Sequence, residues 1–267
     1  MVGEASHGSV PRRKGLNGMT TILVTGGTGT LGRLVCERLR EDGHTVRVLS
    51  RHTQPYAVDL RKGGTVLDSA VLGADAIVHC ASSPRGGDER AAERLITAAR
   101  RAGVPHLLYI SIVGVDVVPM GYYRAKLAVE RLVRESGLGW TILRATQFHD
   151  LVDQVLTGLA KPPVLLLPAG ADDQPIAVAE VAARLAELAA GAPAGRVADM
   201  GGPEVRSLRS LAAAHLSATG KRRPVVGVPL FGATYRAFRD GGHLTPGQAV
   251  GRGTFEDFLK ERYPAPR

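Results

Sequence analysis

Apolar and polar positions change period several times along this chain, and the changes mark out its elements. An apolar run at 21–25 (TILVT) predicts a buried strand, and residues 30–41 follow with Leu31, Leu34, Val35 and Leu39 at helical spacing. Residues 45–50 (TVRVLS), 76–81 (AIVHCA) and 106–111 (HLLYIS) read as further strands, and 90–102 and 122–136 as amphipathic helices. Short strands are expected at 140–143 and 196–200. Strands and helices alternating in this way predict an α/β fold, a doubly wound parallel sheet with helices on both faces and right-handed crossovers. Between Arg51 and Leu60 there is too little chain for a full crossover helix. Either that crossover is a loop or a single turn, or 57–60 is not a sheet strand.

Past about residue 150 the pattern weakens. Helices are expected at 177–190 and 208–219, with a terminal turn or two at 255–262. Residues 221–253 carry Pro224, Pro229, Pro246 and many glycines, and read as loops with short helices. The expected organisation is a disordered basic tail over 1–18, a core over 19–150, and a sheet edge plus small cap over 151–267, all in one integrated domain.

Of the 267 residues, 44% are hydrophobic and 22% charged, which excludes a mostly disordered chain and a disulfide-stapled miniprotein. No apolar run approaches the roughly 18 residues of a membrane span, and no membrane role is expected. Residues 1–18 have no apolar stretch of the kind a secretory signal needs. The net charge is +9, and six of the 34 basic residues are lysine and 28 arginine. Many arginines sit beside acids, as in Glu37/Arg38 and Glu93/Arg94, the pattern of solvated helix faces. Aromatics, at 4%, are too sparse for base-stacking platforms, so a nucleic-acid partner is not expected. Cys36 and Cys80 both fall in predicted elements, which points to buried thiols and a reducing, cytoplasmic compartment.

The segment TGGTGTLG at 25–32 leaves the first strand and opens the first helix, the context in which a glycine pattern binds a pyrophosphate. Gly26 permits the tight turn, Gly29 lets backbone approach the phosphates, and Gly32 lets helix and strand pack closely. The helix then aims free N–H groups and its positive end at the anion. Gly26, Thr28, Gly29, Thr30, Leu31 and Gly32 are the candidate contacts. An acid at the end of the second strand would favour NAD, but the chain has Ser50-Arg51-His52 there. Arg51 can stack on adenine and pair with a 2′-phosphate, Ser50 can donate to it, and Arg33 adds charge. NADP(H) is the expected cofactor. Asp59 and Leu60 fit a place beside the adenine, where the carboxylate would accept from the exocyclic amine. No metal is expected.

Tyr122 and Lys126 lie four apart on a predicted helix and share a face. An ammonium beside a phenol lowers the phenol pKa, and the phenol then moves a proton at a substrate oxygen while hydride moves at carbon. The lysine can also hold the nicotinamide ribose. Tyr123 is a decoy whose ring points elsewhere. Ser111 ends the strand HLLYIS, where a hydroxyl either faces the crevice or caps the following loop.

These segments, with HCASS at 79–83, YYRAK at 122–126 and ILRATQF at 142–148, resemble the short-chain dehydrogenase/reductase superfamily, and most closely its atypical NmrA-like branch. The resemblance is strong over 21–150, reaches about 205 through QPIAV and GGPE, and is weak beyond. It implies a seven-stranded sheet in the order 3-2-1-4-5-6-7. It places Cys80, Ala81 and Ser82 beside the adenine ribose, and Ala145, Thr146, Gln147 and Phe148 against the nicotinamide. It supports Ser111, Tyr122 and Lys126 as a catalytic set. The chain departs from the pattern at Ile112, where many relatives have a second serine. His149 either faces the substrate or caps a helix.

The function expected from these residues is an NADP(H)-dependent reductase of an apolar carbonyl, conjugated or quinone-type small molecule. Two rivals stand beside it: a nucleotide-sensing module without turnover, since some relatives lack the tyrosine, and an epimerase or dehydratase on the same fold. A homo-oligomer is left open.

Overall fold

The computed structural model describes residues 19–83 and 86–264, and the basic tail read at 1–18 lies outside them. The chain runs β1 (Thr21–Thr25), α1 (Thr30–Glu41), β2 (Thr45–Leu49), α2 (Thr65–Val71), β3 (Ala76–His79), α3 (Asp88–Arg101), β4 (His106–Ile112), α4 (Gly121–Arg134) and β5 (Gly139–Ala145). It continues through α5 (His149–Leu159), β6 (Leu165–Pro168), β7 (Asp172–Asp173), α6 (Val178–Ala190), β8 (Gly195–Arg196), β9 (Arg206–Ser207), α7 (Leu208–Ala218) and β10 (Val225–Val228). It ends with α8 (Ala233–Arg239), a short helical turn at Pro246–Gln248, and α9 (Phe255–Arg262).

Six strands pair in the order β2-β1-β3-β4-β5-β8, all parallel. Alternation along each strand sends neighbouring side chains to opposite faces. Ile22 and Val24 pack with Leu31, Val35 and Leu39 of α1 and Val181 and Leu185 of α6. Leu23, Ile77 and Leu107 pack on the other face with Leu67 of α2, Leu95 of α3 and Val129 and Val133 of α4. A third cluster joins α5, β6, α7 and α9 through Leu156, Leu165, Leu211 and Leu259. No helix of the described residues is long and apolar enough to cross a membrane.

The main sheet has six strands where seven were expected. The missing outer strand is reduced to one parallel bridge, Ser50 to Ala57, in a stretch where Pro55 cannot donate to a ladder. Beside it Arg47 of β2 donates to the carbonyls of Ala70 and Leu72 at 2.9 and 2.6 Å. The strand expected at 196–200 is two residues of β8 and a bridge from Met200 to Ala145. The sequence pattern did not reveal α2, α5, β6 or β10.

One buried ion pair fixes α4 on the sheet. Arg144 of β5 donates to Glu130 at 2.7 Å from Nε and 2.8 Å from Nη2, and to both oxygens of Asp116 at 3.0 Å. Burial works against the Arg144 charge, but its hydrogen bonds to Glu130 and Asp116 outweigh that and raise the guanidinium pKa. Arg144→Met should therefore leave Glu130 buried with only the part-exposed Arg134 at 3.2 Å and cost about 3 kcal/mol in urea unfolding, with most of it regained in Glu130→Leu/Arg144→Met. A single variant as stable as the parent would show that the pair does not hold the helix.

Candidate functional site

The glycine turn between β1 and α1 is built as its residues predict. Gly26 has φ +66°, and a Cβ there would stand 2.8 Å from the backbone of Ala81. A Cβ at Gly32 would meet the Gly26 carbonyl oxygen at 2.3 Å, so the helix packs on the turn only without one. Gly29 begins α1 with no side-chain cap and no acid in the first turn. The first N–H groups of α1 therefore present their positive end to the edge where Thr28, Gly29 and Thr30 are exposed. Leu31 points into the core.

At the end of β2 the expected contacts divide. Arg51 is exposed and has no partner among the described residues, so its guanidinium is free for an anion. Ser50 is buried in its own turn: its hydroxyl donates to Thr53 Oγ1 at 2.8 Å and accepts from the Thr53 N–H at 3.1 Å. Arg33 pairs with Glu37 at 2.9 Å on the helix surface. Asp59 is held by Arg61 through a fork of 2.6 and 3.0 Å contacts, and the hydrogen bonds from Arg61 bring its pKa down to about 2. Leu60 is buried in the core with Leu49 and Leu67.

The chemistry gathers where β3 ends. One residue beyond the Gly26–Ala81 contact, Ser82 Oγ lies 2.9 Å from Tyr122 Oη and donates to Asp88 Oδ2 at 2.7 Å. With the Ser82 proton on Asp88, the phenol donates to Ser82. Asp88 Oδ1 accepts from the Ser83 N–H at 2.8 Å. Lys126 is buried, with Nζ 3.9 Å from Asp88 Oδ2, 5.7 Å from the Tyr122 ring centroid and 5.2 Å from that of Tyr109. Burial lowers the Lys126 pKa, and Asp88 opposes this by favouring the charge. Tyr122 departs from expectation. Burial raises its pKa above the ordinary value, the Ser82 bond lowers it and Asp88 raises it. The ammonium lies over the ring face.

Ser111 is buried near the end of β4, and its Oγ has no hydrogen-bond partner among the described residues. The Tyr122 hydroxyl bonds Ser82 and not Ser111. Tyr123 is the predicted decoy: it is buried, its hydroxyl accepts from Gln147 Nε2 at 2.8 Å, and its ring meets Phe238 edge-on. Cys80 is half-buried and free, and burial pushes its thiol up to about 12; Cys36 is buried and pushed up to about 11. Ala145 is buried and bridges Met200, while Thr146 accepts from the Gly202 N–H at 3.3 Å, on the inner side of the loop. Phe148 is half-buried at the start of α5. His149 turns from the site to Phe255 and Phe258, with Nε2 3.1 Å from the Pro175 carbonyl.

Two features escaped the sequence reading. Asp88 joins Ser82, Ser83 and Lys126, yet in the sequence it is one acid among many at a helix start; its only signal is its place soon after the strand predicted at 76–81. A polar row also crosses three strands under Lys126: Thr25 Oγ1 contacts His79 Nδ1 at 2.7 Å, and His79 stacks on Tyr109. Burial, then Lys126, pushes His79 down to about 3, so it is neutral.

The model of a family described as NAD(P)H-binding matches residues 26–191. A (4-alkanoyl-5-oxo-2,5-dihydrofuran-3-yl)methyl phosphate reductase of Streptomyces griseus is 31% identical over 205 residues, 70% of this chain and 70% of that protein. A chloroplastic divinyl chlorophyllide a 8-vinyl-reductase of Oryza sativa is 28% identical over 236 residues, 74% of this chain but 58% of the relative. An NADPH-dependent quinone oxidoreductase of Escherichia coli, solved with NADPH, shares the fold with a TM-score of 0.75 and 20% identity, over 91% of this chain and 99% of that one. The glycine turn, the uncapped helix and the family match over more than half of the residues agree, and the chain belongs to the NAD(P)H-binding family.

Proposed function

We propose that this protein is an NADP(H)-dependent oxidoreductase that reduces a carbonyl, conjugated or quinone-type small molecule. The observation that carries the reading is the contact joining the two parts of the site. Ala81 lies against Gly26, and the next residue, Ser82, meets the Tyr122 hydroxyl. The phosphate-binding turn and the proton donor thus share the carboxyl end of the sheet, where ligands bind in open α/β folds. The residues fit the cofactor: the helix N-terminus is uncapped, Arg51 is unpaired, and Ser111 Oγ is a buried polar atom without a partner.

When bound, the dihydronicotinamide supplies the hydride. Tyr122 supplies the proton, and rotation about its Cζ–Oη bond re-aims that proton from Ser82 to an acceptor oxygen. Lys126 holds ribose hydroxyls, and Asp88 favours its charged form. Ser111 positions the acceptor oxygen. Cys80 and Ser82 flank a ribose, and Phe148 and the cap enclose an apolar acceptor.

Two measurements test this. Calorimetric titration should give NADPH binding well above NADH binding, with Arg51→Ala weakening NADPH about tenfold to a hundredfold and leaving NADH unchanged, as for the loss of a charge-assisted hydrogen bond. Equal affinities for the two nucleotides would remove the 2′-phosphate role of Arg51. In a turnover assay over a panel of quinones, enones and carbonyls, Tyr122→Phe should lower kcat about 10²–10⁴-fold with NADPH affinity retained. Unchanged kcat excludes the proton-donor role, and binding without turnover on any acceptor favours the sensing module.

A further inference from the structure

The cap carries a surface that the reductase reading does not use. β6 and β10 pair in parallel with Leu166 opposite Val226. Leu165 and Leu167 face the inner cluster, so Leu166 and Val226 face outward, 53% and 44% exposed. Past β10 the chain turns at Pro229 and Gly232, and the tip between them carries Leu230, 45% exposed, and Phe231, 93% exposed. A phenylalanine held this far out of the protein, beside three other exposed aliphatic side chains, forms an apolar patch that needs a partner.

The charge around the patch identifies that partner. From residue 205 to 239 the chain has no carboxylate. Lys221, Arg222, Arg223 and Arg236 have no acidic partner among the described residues. Arg209 donates to the Val225 carbonyl, and Arg239 lies 3.8 Å from Asp240 with both side chains more than half exposed. Arg206 of this stretch lies between two close carboxylates, Glu204 and Glu256. An apolar tip in a stretch of chain that carries unpaired cations before β10 and on α8 matches the boundary between headgroups and acyl chains of an anionic bilayer. A second copy of this chain would bring like charges together on the same patch, and a nucleic acid would leave Phe231 and Leu230 facing a hydrated polyanion.

We infer that the β6–β10 face and the 229–232 tip form a peripheral docking surface for an anionic lipid membrane. Leu230 and Phe231 enter the interface, and the cations of 221–223 and α8 rest on the headgroups. No spanning helix is required. The segment is fastened beside the mouth of the site, since Thr234 Oγ1 donates to the Pro119 carbonyl at 3.1 Å and Phe238 packs on Tyr123. A bilayer engaged by the tip therefore adjoins the loop that leads into α4.

The test is sedimentation of the full chain with vesicles of phosphatidylcholine alone and of phosphatidylcholine with about a third phosphatidylglycerol. Each cation near an anionic leaflet contributes about fivefold in binding. The expected result is binding to the mixed vesicles only, weakening steeply with salt. Leu230→Ser/Phe231→Ser and, separately, Arg222→Glu/Arg236→Glu should each cut the partition coefficient about tenfold or more while the circular dichroism spectrum and NADPH affinity stay unchanged. Equal binding to both vesicles, no binding at low salt, or binding undiminished in both variants overturns the inference. So does a dimer that Phe231→Ser dissociates in a chain that ignores vesicles.

Discussion

The carboxylate of Glu130 meets the guanidinium of Arg144 inside the protein, and the position of α4 depends on that meeting. Glu130 lies one turn beyond Lys126 and two beyond Tyr122 on the same helix. Its partner comes from near the end of β5, and the same guanidinium holds Asp116 in the connection between β4 and α4. Taking such charges out of water is costly, and only close hydrogen bonds offset it, so the pair tolerates little displacement. A shift of α4 along the sheet would break the fork, and it would also part Tyr122 from Ser82 and Lys126 from Asp88. The geometry of the site is thus set by a contact that takes no part in its chemistry.

The part of the molecule legible in the sequence is the part whose determinants are local. β1, the glycine turn and α1 follow one another without interruption, and each residue's role is read from its neighbours. Tyr122 and Lys126 were legible for the same reason, being one turn apart on one helix. The cap was not, because its elements are short and held by remote partners. β6 pairs with β10 some sixty residues on, and Gln174 binds the backbone at Gly202 and Thr245. Asp88 belongs with these: its partners come from the end of β3 and from α4, and nothing beside it in the chain names them.

The polar row beneath Lys126 shows why the ammonium sits where it does. Thr25 Oγ1 accepts from the Ala81 N–H at 3.3 Å and contacts His79 Nδ1, and His79 lies against Tyr109. The two rings stack with centroids 5.5 Å apart, and the Tyr109 ring attracts the cation 5.2 Å from its centroid. Asp88 attracts it from the other side. Lys126 is held between a π-face and a carboxylate, and this keeps a long, flexible side chain in one place without a direct bond to the phenol.

The crossover after β2 has a consequence for how molecules of this protein meet one another. An outer strand offers an unpaired row of backbone groups on which a strand from another chain can grow, the first step of edge-to-edge aggregation. Here that strand is five residues long. Arg47 in its middle is tied to the end of α2, and the bridge at Ala57 crosses its exit. A foreign strand therefore meets a ladder only five residues long whose exit is already bridged. By stopping the sheet at six strands, the fold keeps its outer edge short.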